Sequence, residues 1–228
     1  MEQQSEQKIE LVGKNNFKII QDQFNYRFSL DSILLAEFIK LKYKEKMMDL
    51  GTGCGIIPMM VYDPDKECTI YGVEIQDCLA DIARKNVSLN HLEDKMIMIR
   101  EDMRNLPKGF KAESFDVVTA NPPYITKGRG KQSERGEQLL ARHEINVTME
   151  DLVSIGYYLL KKRGRFYLIH RADCLVPVMM VLKKYLLEPK LLQFVYTRKD
   201  GLAKRFLLEA RKEGGTELKV LQPIFLKR

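Results

Sequence analysis

Cysteine is scarce and unpatterned in this chain. Cys54, Cys68, Cys78 and Cys174 are the only four in 228 residues, and none forms a C-x-x-C pair or sits at metal-ligand spacing. That argues against a disulfide framework and against a zinc site, so no metal is expected. Long apolar runs are missing too: nothing approaches the roughly 20 residues a membrane helix needs, and no membrane partner is expected. The opening MEQQSEQKIE places acidic and amide side chains where a secretory signal would carry a basic stretch and then an apolar one. A reducing, cytoplasmic location is the expectation. Internal repeats are absent, and the one low-complexity stretch, KGRGKQSER from Lys127 to Arg135, is too short for an interdomain linker.

What is present is a soluble, core-forming composition, 45% hydrophobic and 30% charged, which excludes disordered and fibrous classes. The length fits one domain over residues 1–228, with about 1–45 as an amino-terminal segment and 46–228 as the core. The net charge of +7 hides an asymmetry. Residues 1–120 carry 16 basic against 20 acidic side chains, and residues 121–228 carry 22 against 11. A strongly basic second half fits a polyanionic partner, nucleic acid first among them; a solvated lysine-rich surface is the alternative.

Ser29 can cap a helix running to about Leu41. From Met47 short apolar runs alternate with helix-length amphipathic stretches: MMDL, a helix from near Gly55, TIYGVE, a helix from Cys78 to Asn90, MIMIR, then FDVVTA. A helix near Met149 to Lys161, RFYLIH, a helix over Val178 to Leu187 and LLQFVY continue the series. Strands apolar on both faces and separated by helices predict a doubly wound, mainly parallel α/β sheet. RFLLEA and LKVLQPIF, separated by Gly214-Gly215, predict a final antiparallel hairpin.

The first strand runs through Asp49-Leu50-Gly51-Thr52-Gly53-Cys54-Gly55 into a helix. Glycines at such a turn let the backbone approach a ligand closely. A dinucleotide fingerprint fails because Ile56 stands where a third small residue is needed, and no Gly-Lys-Ser/Thr follows for a P-loop. Glu74 closes the second strand, which puts a carboxylate suited to a ribose diol beside this loop, with Ile75 placed to lie on an adenine. Asp102 follows the third strand on the same edge.

Acidic positions at three successive strand ends resemble the S-adenosylmethionine site of class I methyltransferases. The resemblance implies a Rossmann-like sheet of about seven strands, with Asp49, Gly51, Thr52, Gly53 and Gly55 around the methionine part of the cofactor. It further implies Glu74 on the ribose, with Ile75, Asp102 and Met103 near the adenine.

After FDVVTA comes Asn121-Pro122-Pro123-Tyr124. Two prolines fix φ and remove two N–H donors, leaving the Asn side chain and nearby carbonyls as rigid acceptors. An exocyclic amine is a poor nucleophile because its lone pair is delocalised into the ring. Accepting both of its N–H hydrogens, at Asn121 Oδ1 and the Pro122 carbonyl, favours a pyramidal nitrogen that can attack a methyl group in line. Tyr124 can stack on the planar group bearing the amine.

The tetrad resembles that of amino-group methyltransferases. FSLDSILLAEF, DLGTGCGIIP, GVEIQ, FDVVTANPPY, ARHEI and GRF together are similar to bacterial tRNA adenine-N6 methyltransferases over about residues 24–225. The resemblance implies tRNA as the substrate. It also implies that Tyr26, Phe28, Ser29 and Asp31 lie over the cofactor, making residues 1–45 a cofactor-covering segment, and that Asn121 touches the cofactor as well.

Lys127, Arg129, Lys131 and Arg135 follow the tetrad and are candidate phosphate contacts, or else part of a solvated loop. His143 is a candidate pocket residue or an ordinary structural histidine. Lys161, Lys162, Arg163 and Arg165 form one candidate phosphate-docking cluster, and Arg198, Lys199, Lys204 and Arg205 another; solvated surface is the alternative for each. Methylation of another RNA, of DNA adenine or of a protein glutamine remains open, as does a non-catalytic RNA-binding role on the same fold. Oligomeric state is not legible.

Overall fold

The computed structural model describes residues 7–22, 29–123 and 147–226. Among them the chain begins with a hairpin of β1 (Gln7–Val12) and β2 (Phe17–Asp22), then α1 (Leu30–Phe38), β3 (Lys46–Leu50), α2 (Ile56–Val61), β4 (Thr69–Glu74), α3 (Asp77–Leu89) and β5 (Met96–Arg100). It continues through α4 (Leu106–Gly109), β6 (Phe115–Ala120), α5 (Met149–Leu159), β7 (Leu160–Arg171), α6 (Leu175–Lys184), β8 (Leu187–Tyr196), β9 (Arg205–Lys212), β10 (Lys219–Val220) and β11 (Ile224–Phe225).

One sheet runs β5-β4-β3-β6-β7-β9-β8-β10, with β11 also beside β8. Strands β3 to β7 are mutually parallel, and β9 is antiparallel to both its neighbours. The strands alternate between two apolar layers. Met47, Val117 and Tyr167 pack with Leu35 of α1, Ile57 of α2 and Leu79 of α3, whereas Met48, Val118 and Phe166 pack with Leu106 of α4, Leu152 of α5 and Leu182 of α6. Each fully buried side chain of this size contributes about 1.5–3 kcal/mol, which is why the central strands read as unbroken apolar runs.

Helix starts follow local chemistry. Ser29 Oγ accepts from Ser32 N–H at 3.3 Å to cap α1, and Thr148 with Asp151 closes a capping box on α5.

The final antiparallel hairpin is present but lies one segment earlier than expected. RFLLEA pairs with the preceding LLQFVY strand, and the segments after Gly214-Gly215 add β10 and β11 parallel to β8. Among the described residues these two-residue strands raise the sheet from seven strands to nine. The amino-terminal segment carries a hairpin that its polar composition concealed. Its turn uses left-handed Gly13 and Asn16 (φ 68° and 53°), and Asn90, capping the carboxyl end of α3, clamps β2 by accepting from Lys18 N–H at 2.8 Å and donating to Lys18 O at 2.7 Å.

Chain order reverses between β3 and β6, which pair side by side with Leu50 opposite Ala120. The loops that follow them, starting at Gly51 and Asn121, therefore flank the switch-point crevice at the carboxyl edge, where ligands of such sheets bind.

Candidate active site

The loop after β3 is built from left-handed backbone. Gly51, Gly53 and Gly55 have φ of 75°, 57° and 84°, a region that costs L side chains about 1 kcal/mol or more. Gly51 and Thr52 N–H groups both donate to Val73 O at 2.9 Å. Glu74 then pins the loop from β4, with Oε2 accepting from Gly53 N–H at 3.0 Å and Oε1 from Gln76 N–H at 3.0 Å. The carboxylate is buried and fixed in orientation; Oε1 also lies 3.5 Å from Gln76 Nε2, whereas Oε2 keeps a further lone pair. Met103, which follows β5, reaches this loop: a Cβ placed on Gly51 would lie 3.9 Å from its Cε. Ile75 is half-buried at the same edge.

Beneath the loop lies a set of buried polar atoms: both carboxylate oxygens of Asp49, Thr52 Oγ1 and Thr119 Oγ1 make no well-formed hydrogen bond among the described residues. Asp49 stands opposite Thr119 on β6 and Gly72 on β4. Gly72 makes room for Thr52, since a Cβ there would be 2.8 Å from Thr52 Cγ2 and 2.7 Å from Met98 Sδ. Burial pushes the Asp49 carboxyl up to about 7, with the Thr52 hydroxyl opposing and Glu74 adding to the rise. A buried carboxylate faced by no cation and only the Thr52 hydroxyl among the described residues is costly, and a ligand's cationic group would relieve it.

Asn121 follows β6, and its amide is held by α1: Nδ2 donates to Ser32 Oγ at 2.9 Å. Ser32 is itself buried, and its Oγ lies 3.3 Å from Ser29 Oγ. With Nδ2 committed, the atom of this amide left without a partner among the described residues is the acceptor Oδ1. Pro122 is half-buried and Pro123 exposed. Ser32 and Thr119 were not anticipated from the sequence.

Other predicted positions are already engaged. Asp102 is gripped by Arg104, whose Nε lies 3.0 Å from both carboxylate oxygens, and this pairing holds its carboxyl below the usual range. A ligand amine reaching Asp102 would share that carboxylate. Asp31 accepts from Arg205 Nε at 2.8 Å.

The two basic clusters do not share a surface. Arg165 is removed from the first as a correction: it is buried, paired with Glu45 and bound to Lys40 O. Lys161, Lys162 and Arg163 sit at the start of β7, on the amino edge of the sheet, whereas Arg198, Lys199, Lys204 and Arg205 sit at the carboxyl edge with Asn121. Tyr26, Phe28, Tyr124, Lys127, Arg129, Lys131, Arg135 and His143 lie outside the described residues. Among the described residues no cluster of metal ligands occurs, and no helix is long and apolar enough to cross a membrane.

Sheet order, switch-point crevice and glycine loop define a class I methyltransferase fold. Residues 27–180 match the methyltransferase small domain family, and the chain belongs to that family. Two curated relatives carry the name tRNA1(Val) (adenine(37)-N6)-methyltransferase. The one from Bacteroides thetaiotaomicron is 25% identical and aligns over 84% of this chain and 79% of its own length. The one from Porphyromonas gingivalis strain W83 is 28% identical, over 89% and 81% respectively. Among solved structures, a predicted O-methyltransferase from Agrobacterium tumefaciens superposes with a TM-score of 0.68 at 20% identity, covering 86% of this chain and 87% of that one. TYW2 of Pyrococcus horikoshii in complex with MeSAdo gives 0.60 at 14% identity, over 90% and 72%. These two likenesses are of fold.

Proposed function

We propose that this protein transfers the methyl group of S-adenosylmethionine to N6 of an adenosine in tRNA, the base beside the anticodon of a valine tRNA. The observation that carries the proposal is the fixed amide of Asn121, which gives one of its two hydrogens to Ser32 and leaves its acceptor for a substrate amine at the switch point.

The residues present fit the cofactor. Asp49 and Thr52, buried without a well-formed hydrogen bond among the described residues, suit a ligand with a cationic amino-acid end, which they would hold together with Gly51, Gly53 and Gly55. Pinned Glu74 suits a ribose diol, and Ile75 with Met103 suits the adenine, beside Asp102. Tyr26, Phe28, Ser29 and Asp31 would cover it, so that residues 1 to about 45 complete a single domain. S-adenosylmethionine, when bound, supplies an electrophilic methyl group.

The chain's own residues prepare the amine. Asn121 Oδ1 and the Pro122 carbonyl accept the two N6 hydrogens, which favours a pyramidal nitrogen with its lone pair directed at the methyl carbon. Two prolines in a row hold these acceptors rigid. Tyr124 stacks on the flipped base, and Lys127, Arg129, Lys131, Arg135 and His143 lie downstream as contacts to the RNA. No base is required before transfer, because the methylated nitrogen sheds its extra proton readily. A cytoplasmic site of action goes with a tRNA substrate.

The test is incubation with methyl-labelled S-adenosylmethionine and, in parallel, unmodified tRNA, ribosomal RNA, duplex DNA and a release factor, followed by nucleoside and peptide mass analysis. Label recovered as N6-methyladenosine from tRNA is expected. Label confined to another acceptor would refute the tRNA assignment and keep the methyl-transfer chemistry.

A further inference from the structure

The turn between β8 and β9, residues 197–204, projects from the same edge of the sheet as Asn121. β9 begins at Arg205 opposite Arg171, the last residue of β7, and β7 runs parallel to β6. Two strand spacings of about 4.8 Å, and three residues of about 3.3 Å along β7 from Leu168 opposite Ala120 to Arg171, put the root of this turn roughly 14 Å from the end of β6.

The turn is cationic: Arg198, Lys199, Lys204 and Arg205 against Asp200 alone. Lys199 and Lys204 are exposed and make no ion pair among the described residues, while Arg198 is folded onto Asp200 at 3.0 Å. At its tip Leu202 is 84% exposed, an apolar side chain between Lys199 and Lys204 in sequence. The turn is anchored at its root. Lys204 N–H donates to Val195 O at 2.8 Å, and Ala172 N–H donates to Lys204 O at 3.2 Å. At its base, the contact of Arg205 with Asp31 joins it to α1, one residue before the Ser32 that holds Asn121.

We infer that this turn is the docking element for the RNA substrate, with Lys199 and Lys204 on backbone phosphates and Leu202 against the bases or riboses beside the flipped nucleotide. The inference rests on the proposed function for the identity of the RNA. Its own content is which surface is used. Lys162 and Arg163 are equally basic, but from Arg163 to Arg171 eight residues of β7 at about 3.3 Å each place them roughly 25 Å away, on the opposite edge. They take no part in docking.

Binding of a fluorescently labelled tRNA transcript, measured by anisotropy across a salt series, tests the placement without requiring methyl transfer. Lys199→Glu with Lys204→Glu should weaken binding at least tenfold and lower the slope of log affinity against log salt by about 2. Lys162→Glu with Arg163→Glu makes the same change in charge and should leave affinity within twofold. Leu202→Ala should weaken binding about threefold or more at unchanged salt slope. Thermal melts and cofactor titration of each variant report that the fold is intact.

Equal effects of the two double variants, or no effect of the first, would overturn the inference, as would a wild-type protein that does not bind tRNA. Unchanged binding by Leu202→Ala would overturn the apolar contact. Should the wild type bind tRNA through this turn while methylating another acceptor, the docking surface stands and the substrate assignment falls.

Discussion

Asn121 and Ser32 are 89 residues apart in sequence, and Nδ2 of the first donates to Oγ of the second at 2.9 Å. The contact ties the loop after β6 to the first turn of α1 and, with Nδ2 on the hydroxyl, leaves Oδ1 as the end of the amide offered to a substrate. Were Nδ2 free, the amide could turn and present two donors to an amine that is itself a donor.

Ser32→Ala should therefore lower kcat for methyl transfer about tenfold, the worth of one hydrogen bond of about 1–1.5 kcal/mol. Cofactor affinity should stay within about twofold. Ser32→Thr, which keeps the hydroxyl, should recover most of the rate. Steady-state kinetics beside a cofactor titration checks this, and a loss confined to cofactor affinity would contradict the positioning role.

Asp49 gives a pH signature. Its carboxyl is raised from 3.8 to about 7 by burial, with Thr52 opposing and Glu74 adding. Between those values the folded state holds a proton that the unfolded state has lost, so stability of the cofactor-free protein falls as pH rises from about 4 to 7. Asp49→Asn removes the buried charge and should raise the melting temperature by several degrees at pH 8 and little at pH 5, while weakening S-adenosylmethionine binding at least tenfold. In the wild type, affinity for the cationic cofactor should decline as pH falls below 7. Calorimetric melts and titrations at both pH values decide the matter.

Gly72→Ala should disturb the floor of the loop. The new Cβ would meet Met98 Sδ and Thr52 Cγ2 at under 3 Å, an overpacking expected to cost about 1–3 kcal/mol. A lower urea midpoint together with weaker cofactor binding is the expected result, because Thr52 is one of the atoms displaced.

Asn86 joins three segments. Its Oδ1 accepts from Ile20 N–H at 2.7 Å, and its Nδ2 donates to Cys54 O at 2.9 Å. The residue is fully buried, so Asn86→Ala leaves a backbone donor and an acceptor without partners, at about 1–3 kcal/mol each. Hydrogen exchange should show the β1–β2 hairpin losing protection in this variant.

The sheet was legible because parallel strands covered on both faces have no polar side to hide them: MMDL, TIYGVE, MIMIR and FDVVTA each became a strand. Gly51, Gly53 and Gly55 were legible because only glycine takes three left-handed positions within five residues cheaply. Ser32 was not, since its importance lies in a contact across 89 residues and α1 reads as an ordinary capped helix. Thr119 looked like one more β-branched residue in an apolar strand until its pairing with Asp49 appeared. Gly214-Gly215 suggested a hairpin from local turn chemistry, but β9 already had antiparallel partners on both sides in β7 and β8. Arg165 belonged with its basic neighbours by sequence, and the alternation of β7 turned it inward to Glu45.

The most direct test of the account is single-turnover methyl transfer to an unmodified valine tRNA by Asn121→Ala, with cofactor and enzyme in excess and S-adenosylhomocysteine affinity measured in parallel. Transfer should fall by about a thousandfold or more while affinity for the cofactor product changes no more than a few fold, the pattern of a group that acts on the amine in the transition state. Transfer of N6-methyl label at the wild-type rate would contradict the role assigned to Asn121.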